Sequence, residues 1–376
     1  VLDGRAFKSK KHDMKAPKGF KTLSAHFAGD FIVVVFQNKS AFKVLTANIR
    51  TGSSNIQDLN IGSFKPSQMT LESISALENS SEAIICIDIL DKSKKESGKR
   101  TNTYFAFVDC EKGKNKIVDV NDKIKNTLLT VSASKNDRGA YIITGTYTSK
   151  LKSPIAEGLF IAEIVDGKVN FVEYNGFSEL EEFLSYLPER SQQKMEKKKA
   201  KKEKAGKDVS YAMRAIHHPL VSTEDAYFIL AEYYHPTYRT RTTTVNGQTT
   251  TYTEFDGFRY THASLVKYDL QGKMQWDRTF ELTPAYKPFS VIRFISFAKK
   301  EKNESITMVF CSRNKIISKG IRYSGGIEYD KVSEEIETGV DGDVTKRSFS
   351  DVDFWYDNYF LLHGSEVINN KTGNAK

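Results

Sequence analysis

The chain has 376 residues, of which 39% are hydrophobic and 12% aromatic, with 24 Phe and 18 Tyr. That supplies apolar surface for a large core and excludes a globally disordered chain, while no apolar run reaches the roughly 18 residues of a membrane-spanning helix. The net charge of +9 is localised: Lys194–Lys207 carries +6, residues 1–18 carry +4, and the remainder is −1.

Basicity therefore belongs to two appendages and is no global nucleic-acid signature. Residues 1–18 read as a basic N-terminal extension. The chain opens on Val1 with no signal peptide in view, and a processed or trimmed N-terminus is expected. From residue 19 onward, strand-like runs bounded by turn residues recur in fours, with a repeat near 50 residues. The first group is 20–27, 30–37, 41–49 and 54–61; the second is 70–77, 82–90, 103–110 and 116–120. The third is 128–134, 140–147, 158–165 and 168–174; the fourth is 211–218, 226–234, 260–270 and 274–282. The fifth is 290–298, 305–312, 315–324 and 326–336, and a sixth begins with 348–356 and 358–367. In each group the second run is the most apolar, as in Phe31–Phe36 and Ile84–Ile89, the pattern of a strand buried on both faces. Tight turns join third runs to fourth: Arg50-Thr51-Gly52, Asp166-Gly167-Lys168 and Gln271-Gly272-Lys273.

The segment Tyr268-Asp-Leu-Gln-Gly-Lys-Met-Gln-Trp276 resembles the outer hairpin of bacterial β-propellers of the broad pyrroloquinoline-quinone-repeat and kelch-like type. The resemblance implies fold alone and transfers no catalytic or cofactor-binding residue. Repeat and resemblance together predict an all-β protein, a β-propeller of about six four-stranded blades over residues 19–376, with seven possible. The sixth blade runs out after Val367, and a trimmed chain is the favoured reason.

If strands are numbered outward from the axis, turns 1–2 and 3–4 lie on one face. Connections 2–3 and the links between blades lie on the other. The long excursions 91–102, 149–157, 176–208 and 235–259 all belong to that second group, so they are expected to decorate one face. In the 176–208 insertion, Ser178 and Glu181 have capping-box spacing ahead of a helix with Leu180, Phe183, Leu184 and Leu187 on one side. Pro188 fits the first turn of a second helix, Lys-rich over Met195–Ala205 and stopped by Gly206. In the 235–259 excursion, Asn246-Gly247 predicts a type I′ hairpin. That turn pairs Val245 with Gln248, Arg241 with Tyr252, Arg239 with Glu254 and Tyr238 with Phe255. Arg239 and Arg241 then share a face and offer a cation–π contact and an ion pair.

Catalytic and metal signals are thin. His217 and His218 alternate across a strand and point to opposite faces. With His235 and His262 they suggest packing among Tyr233, Tyr234 and Tyr260 ahead of zinc. Asp341, Asp343, Asp351 and Asp353 lack an EF-hand loop, and Glu232 and Asp225 are unselected carboxylates for a glycosidase. Cys86, Cys110 and Cys311 read as buried hydrophobes. No cofactor is expected, and an enzyme is less favoured than a scaffold. The expected function is binding of a protein partner, with a membrane-protein complex as one form of it, at Tyr238, Arg239, Arg241, Tyr252, Glu254, Lys198, Lys201 and Lys202. A bacterial envelope or secretion assembly in the periplasm is the expected setting, with a cytoplasmic one left open. The alternative is a carbohydrate-binding or carbohydrate-active propeller with an axial pocket; nucleic acid is disfavoured.

Overall fold

The computed structural model describes residues 2–3, 8–9, 11, 16–77, 80–91, 99–150, 153–206, 209–245, 248–337, 344–356 and 359–369. The chain divides into two compact units: Val1–Asn175 with Gln271–Lys273, and Gly176–Leu270 with Met274–Lys376. In the N-terminal extension, β1 (Leu2–Asp3) and β2 (Lys8–Ser9) pair with each other.

The first unit holds three antiparallel meanders in chain order. They are β3 (Lys21–Ala28), β4 (Phe31–Gln37), β5 (Phe42–Asn48) and β6 (Ser54–Asp58); β7 (Met69–Ala76), β8 (Glu82–Asp91), β9 (Lys99–Asp109) and β10 (Lys114–Asp119); and β11 (Thr127–Lys135), β12 (Tyr141–Thr148), β13 (Gly158–Val165) and β14 (Lys168–Gly176). Strand alternation explains the unbroken apolar second runs. On β8, Ile85 and Ile87 pack with Val33 and Val35 of β4, while Ile84 and Cys86 pack with Ile143 of β12 and Phe160 of β13. The sheet of β8 is thus core on both faces. The first strands β3, β7 and β11 lie side by side, and each carries a bulge at the corresponding place, on Leu23, Glu72 and Leu129. Stacked four-stranded meanders with adjacent first strands are β-propeller blades.

The second unit begins with α1 (Glu189–Lys204). A sheet follows in the order β15 (Arg214–His217), β17 (Ala226–Val245), β18 (Gln248–Asp269), β19 (Met274–Glu281), with β16 (Val221–Ser222) also on β17. The next blade is β20 (Ser296–Lys300), β21 (Ser305–Ser312), β22 (Lys315–Arg322) and β23 (Ile327–Glu335), and a two-stranded sheet of β24 (Val344–Tyr356) and β25 (Tyr359–Asn369) follows. Phe228, Leu230, Leu265 and Phe280 pack against Ile306, Met308 and Phe310, and Val352 packs on Val309 and Cys311. The expected hairpin ending at Trp276 is β18–β19, with Gly272 in its turn at φ 82°. The indole N–H of Trp276 donates to the Tyr323 carbonyl at 3.2 Å. All three cysteines are buried.

Two expectations need correction. The run 290–298 does not start a strand until Ser296, because the amides of Phe294 and Ile295 are bound by Glu232. The apolar stretch after Ser178 forms successive turns, closed by Ser185 N–H to Glu182 O and Leu187 N–H to Leu184 O, and no helix. The expected second helix is present from Glu189, directly behind Pro188, and Gly206 at φ 64° follows its end.

Candidate functional site: the arm and its root

β17 and β18 run past the last residue that any third strand covers and continue as a two-stranded arm. The register is the one the turn residues dictate: Tyr238 opposite Phe255, Arg239 opposite Glu254, Arg241 opposite Tyr252 and Val245 opposite Gln248. Asn246 and Gly247 themselves lie outside the described residues. Alternation then sorts the arm into two faces. One carries Thr240, Thr242 and Thr244 opposite Thr253, Thr251 and Thr249, with hydroxyl contacts of 3.2 Å (Thr242–Thr251) and 3.1 Å (Thr244–Thr249). The other carries the charges. Arg239 and Arg241 both grip Glu254, Arg241 Nε at 2.6 Å, and Arg239 also reaches Asp256 at 3.7 Å. The expected cation–π contact of Arg241 with Tyr252 is therefore replaced by an ion pair, since the diagonal carboxylate offers a full charge where the ring offers a quadrupole. Tyr252 stays 45% exposed.

From Arg239 to Thr244 and from Gln248 to Thr253 the described side chains are exposed whichever way they point, so the arm folds back onto nothing. Both outer edges of the ribbon have free backbone groups among the described residues: β15 reaches only Tyr234, and β19 only His262. Around its root sits a ladder of rings. Tyr238 meets Phe255 edge-on at 6.0 Å, Phe255 meets Phe258 at 5.0 Å and Phe289 at 5.8 Å. Tyr238 is 63% and Phe289 71% exposed. Burial, then the neighbouring Arg259 and Lys287, hold the His235 imidazole below its ordinary range.

The other insertion is anchored beside that root. Phe177 and Phe183 stack at 5.0 Å and abut Tyr233 edge-on, and the Tyr186 ring lies flat on His262 at 3.9 Å. His262 is directly opposite Tyr233 and three residues from Arg259, where the arm leaves the sheet. The turn that replaces the expected helix is capped from a distance. Asp277 on β19 accepts the Glu181 amide at 2.7 Å and the Glu182 amide at 2.9 Å, while Ser178 turns away and donates to the Val209 carbonyl at 2.7 Å. Against this packed base, α1 buries no residue. Lys199 ties it down through the Ser178 carbonyl at 2.6 Å, and Lys198, Lys201 and Lys202 are exposed. The structure therefore gathers Tyr238, Arg239, Arg241, Tyr252 and Glu254 on one arm and leaves the three lysines on a separate helix.

Two buried polar clusters were missed in the sequence. Glu232 is wholly buried on β17; it lies 2.7 Å from His218 Nε2 and accepts the amides of Phe294 and Ile295. Both carboxylate oxygens are thereby engaged, and they tie the coil ahead of β20 to β17. Asp225 is an exposed turn residue 3.7 Å from Lys267. In the first unit the guanidinium of Arg100 spans Asp88 (2.7 Å), Glu72 (2.5 Å) and the Leu128 carbonyl, and Thr103 donates to Asp88 at 2.7 Å. Burial raises the Glu72 carboxyl to about 7; Arg100 opposes the rise and Asp88 adds to it. The bulge at Glu72 aims it at Arg100, and a bulge has no one-residue sequence mark.

The remaining candidates separate. His217 is buried behind His218, Asp353 pairs with His363 at 3.1 Å, and Asp341 and Asp343 lie outside the described residues. The two ends of the 149–157 excursion are tied together, with Glu157 accepting the Ser149 amide at 2.8 Å and hydroxyl at 2.6 Å. The 92–98 part of the 91–102 connection lies outside the described residues.

No protein-family model and no curated protein sequence matches the chain. Among solved structures, the β-propeller domain of the trilobed protease from Pyrococcus furiosus is similar at 10% identity, over 96% of each chain, with a TM-score of 0.30. A Trypanosoma rangeli sialidase in complex with sialic acid is similar at 10% identity over 95% of this chain and 53% of its own, TM-score 0.37. An ulvan lyase of family PL25 is similar at 10% identity over 92% and 90%, TM-score 0.34. The chain spans about half the length of the sialidase and of a similar prolyl endopeptidase, 53% and 46%.

Proposed function

We propose that the protein is a non-enzymatic propeller scaffold that binds a protein partner through the arm and its aromatic root. The observation that carries this is the arm itself: two long strands, paired only with each other, exposed on both faces, rising from a patch where Tyr238 and Phe289 stand in solvent. A ribbon of this kind buries no core of its own and is kept rigid by cross-strand threonines and the Arg239–Glu254–Arg241 cluster. Free edges offer strand addition, and exposed aromatic rings offer the anchors typical of protein interfaces. Lys198, Lys201 and Lys202 are assigned to a second, electrostatic contact with an acidic surface. A bacterial envelope assembly is the setting we favour, on the resemblance of the Tyr268–Trp276 hairpin to propellers of the pyrroloquinoline-quinone-repeat type.

The test is a pull-down from envelope and soluble fractions with the intact chain as bait and, in parallel, a chain in which Arg239–Glu254 is replaced by Gly-Gly. A partner retained by the first and lost by the second is expected; equal retention by both rejects the arm. A second reading, acid–base chemistry on a glycan, is favoured by one observation, the Glu72 carboxyl held to about 7 beside Asp88 and Arg100. Hydrolysis or cleavage of a broad glycan panel, abolished by Glu72→Gln, would establish it.

A further inference from the structure

We propose that α1 docks on the surface of an anionic lipid bilayer. This rests on the reading of its lysines as an electrostatic contact and names the acidic surface; it does not depend on the arm. On a helix, Arg190, Lys194, Lys197, Lys198, Lys201 and Lys202 fall in one stripe, at i, i+4, i+7, i+8, i+11 and i+12. The stripe is about 18 Å long. All of these side chains are exposed. The glutamates of the helix, Glu189, Glu196 and Glu203, recur at every seventh residue and share a line on the opposite side. A solvated helix ordinarily intersperses its charges, so that opposite signs meet at i, i+4. Here the signs are sorted, and among the described residues no cation of the stripe makes an ion pair.

The helix is pinned by its other side. Gln192, Met195 and Lys199 are half-buried. Gln192 donates to the Leu187 carbonyl at 2.7 Å and Lys199 to the Ser178 carbonyl at 2.6 Å. Burial, and then the charges of Glu196 and Glu203, raise the Tyr211 hydroxyl, and the Tyr211 ring stacks on the buried Phe183 at 5.9 Å. The acids thus face the body of the unit while the cations face water. The chemistry of the stripe selects a bilayer over other polyanions. Its cations are lysines except for Arg190. Lysine is a compact, hydrated point charge that needs no fixed partner geometry, as suits phosphates free to diffuse in a leaflet, whereas fixed carboxylates suit the arginine fork. The stripe carries no aromatic ring on which a base could stack. Outside Lys194–Lys207 and residues 1–18 the chain carries −1, so the positive tract ends with the helix and does not continue along a duplex. A flat surface can reach α1 because none of its residues is buried. Basic clusters of this size on a helix bind anionic headgroups, each residue contributing about fivefold near the surface.

The experiment is co-sedimentation of the full chain with vesicles of phosphatidylcholine alone and of phosphatidylcholine mixed with phosphatidylglycerol. Two variants of equal net charge are compared with it, and circular dichroism verifies that each keeps its fold. The stripe variant carries Arg190→Gln, Lys194→Gln, Lys197→Gln, Lys198→Gln, Lys201→Gln and Lys202→Gln. The control variant removes as many exposed lysines scattered over the body: Lys18→Gln, Lys39→Gln, Lys114→Gln, Lys123→Gln, Lys168→Gln and Lys302→Gln. The intact chain and the control variant are expected to sediment with the anionic vesicles and the stripe variant to fall to the level seen with neutral ones. Salt at about 1 M, where the Debye length is about 3 Å, should release the bound chain. Failure of the intact chain to sediment with anionic vesicles, or equal loss in both variants, overturns the proposal. Tighter stripe-dependent binding of a duplex DNA probe at the same salt also overturns it, in favour of nucleic acid. Replacement of Arg239–Glu254 by Gly-Gly should leave sedimentation unchanged, so the arm's pull-down and the bilayer contact fail separately.

Discussion

Glu232 shows how much one side chain organises. Its carboxylate meets His218 and the amides of Phe294 and Ile295, and so fixes the coil ahead of β20 to the middle of β17. Glu232→Ala strands all of these groups in a dry interior and should cost about 3–5 kcal/mol. Glu232→Gln keeps an acceptor and should cost less, an order that chemical denaturation will establish or refute. Asp277 acts in the same way on the Glu181 and Glu182 amides. Asp277→Ala should lose about 1–2 kcal/mol, with Asp277→Asn intermediate, as for a helix cap. Neither residue was legible as an anchor, because both act on backbone that is remote in sequence: Asp277 is 96 and 95 positions from the Glu181 and Glu182 amides that donate to it.

At the scale of the element, the arm and the 176–208 insertion behave oppositely. The arm register was readable from Asn246-Gly247 because a two-residue turn sets every later pair by counting. Its side chains are exposed, so removal of Arg239–Glu254 should leave the melting temperature unchanged while altering binding. The turn after Ser178 was misread as a helix because the periodic Leu180, Phe183, Leu184 and Leu187 describe burial without describing hydrogen bonding. Phe183 stacks on Phe177 and meets Tyr233 and His262. Phe183→Ala should therefore cost about 3–5 kcal/mol, measured by thermal or denaturant unfolding. Loss of Lys198, Lys201 and Lys202 charges by substitution to Glu should leave that stability intact.

At the scale of the whole molecule, stability should depend on pH through groups of opposite sign. Burial holds His217 and His262 neutral, each lowered to about 3 against an ordinary value near 6.5. The unfolded chain binds these protons first, so their contribution is full above about 6.5 and is lost as pH falls toward 3. Glu72, raised to about 7, keeps its proton in the folded state while the unfolded chain releases it near 4.5. Its contribution is full below 4.5 and declines as pH rises to about 7. Glu72→Gln should flatten that decline, and a pH series of denaturant midpoints for the parent and the variant will show whether it does.

The sequence by itself determined the strands, their grouping in fours, the doubly buried second strand of each group and the register of the arm. All of these follow from alternation and turn chemistry within a few dozen residues. Only the tertiary structure decided that Glu232 and Asp277 hold coils in place of strand and helix. It alone placed Glu72, Asp88 and Arg100 together. Those features depend on which buried amide or charge finds a partner across sheets, and a hydrogen bond closed over 62 or 96 residues leaves no periodic trace in the chain that makes it.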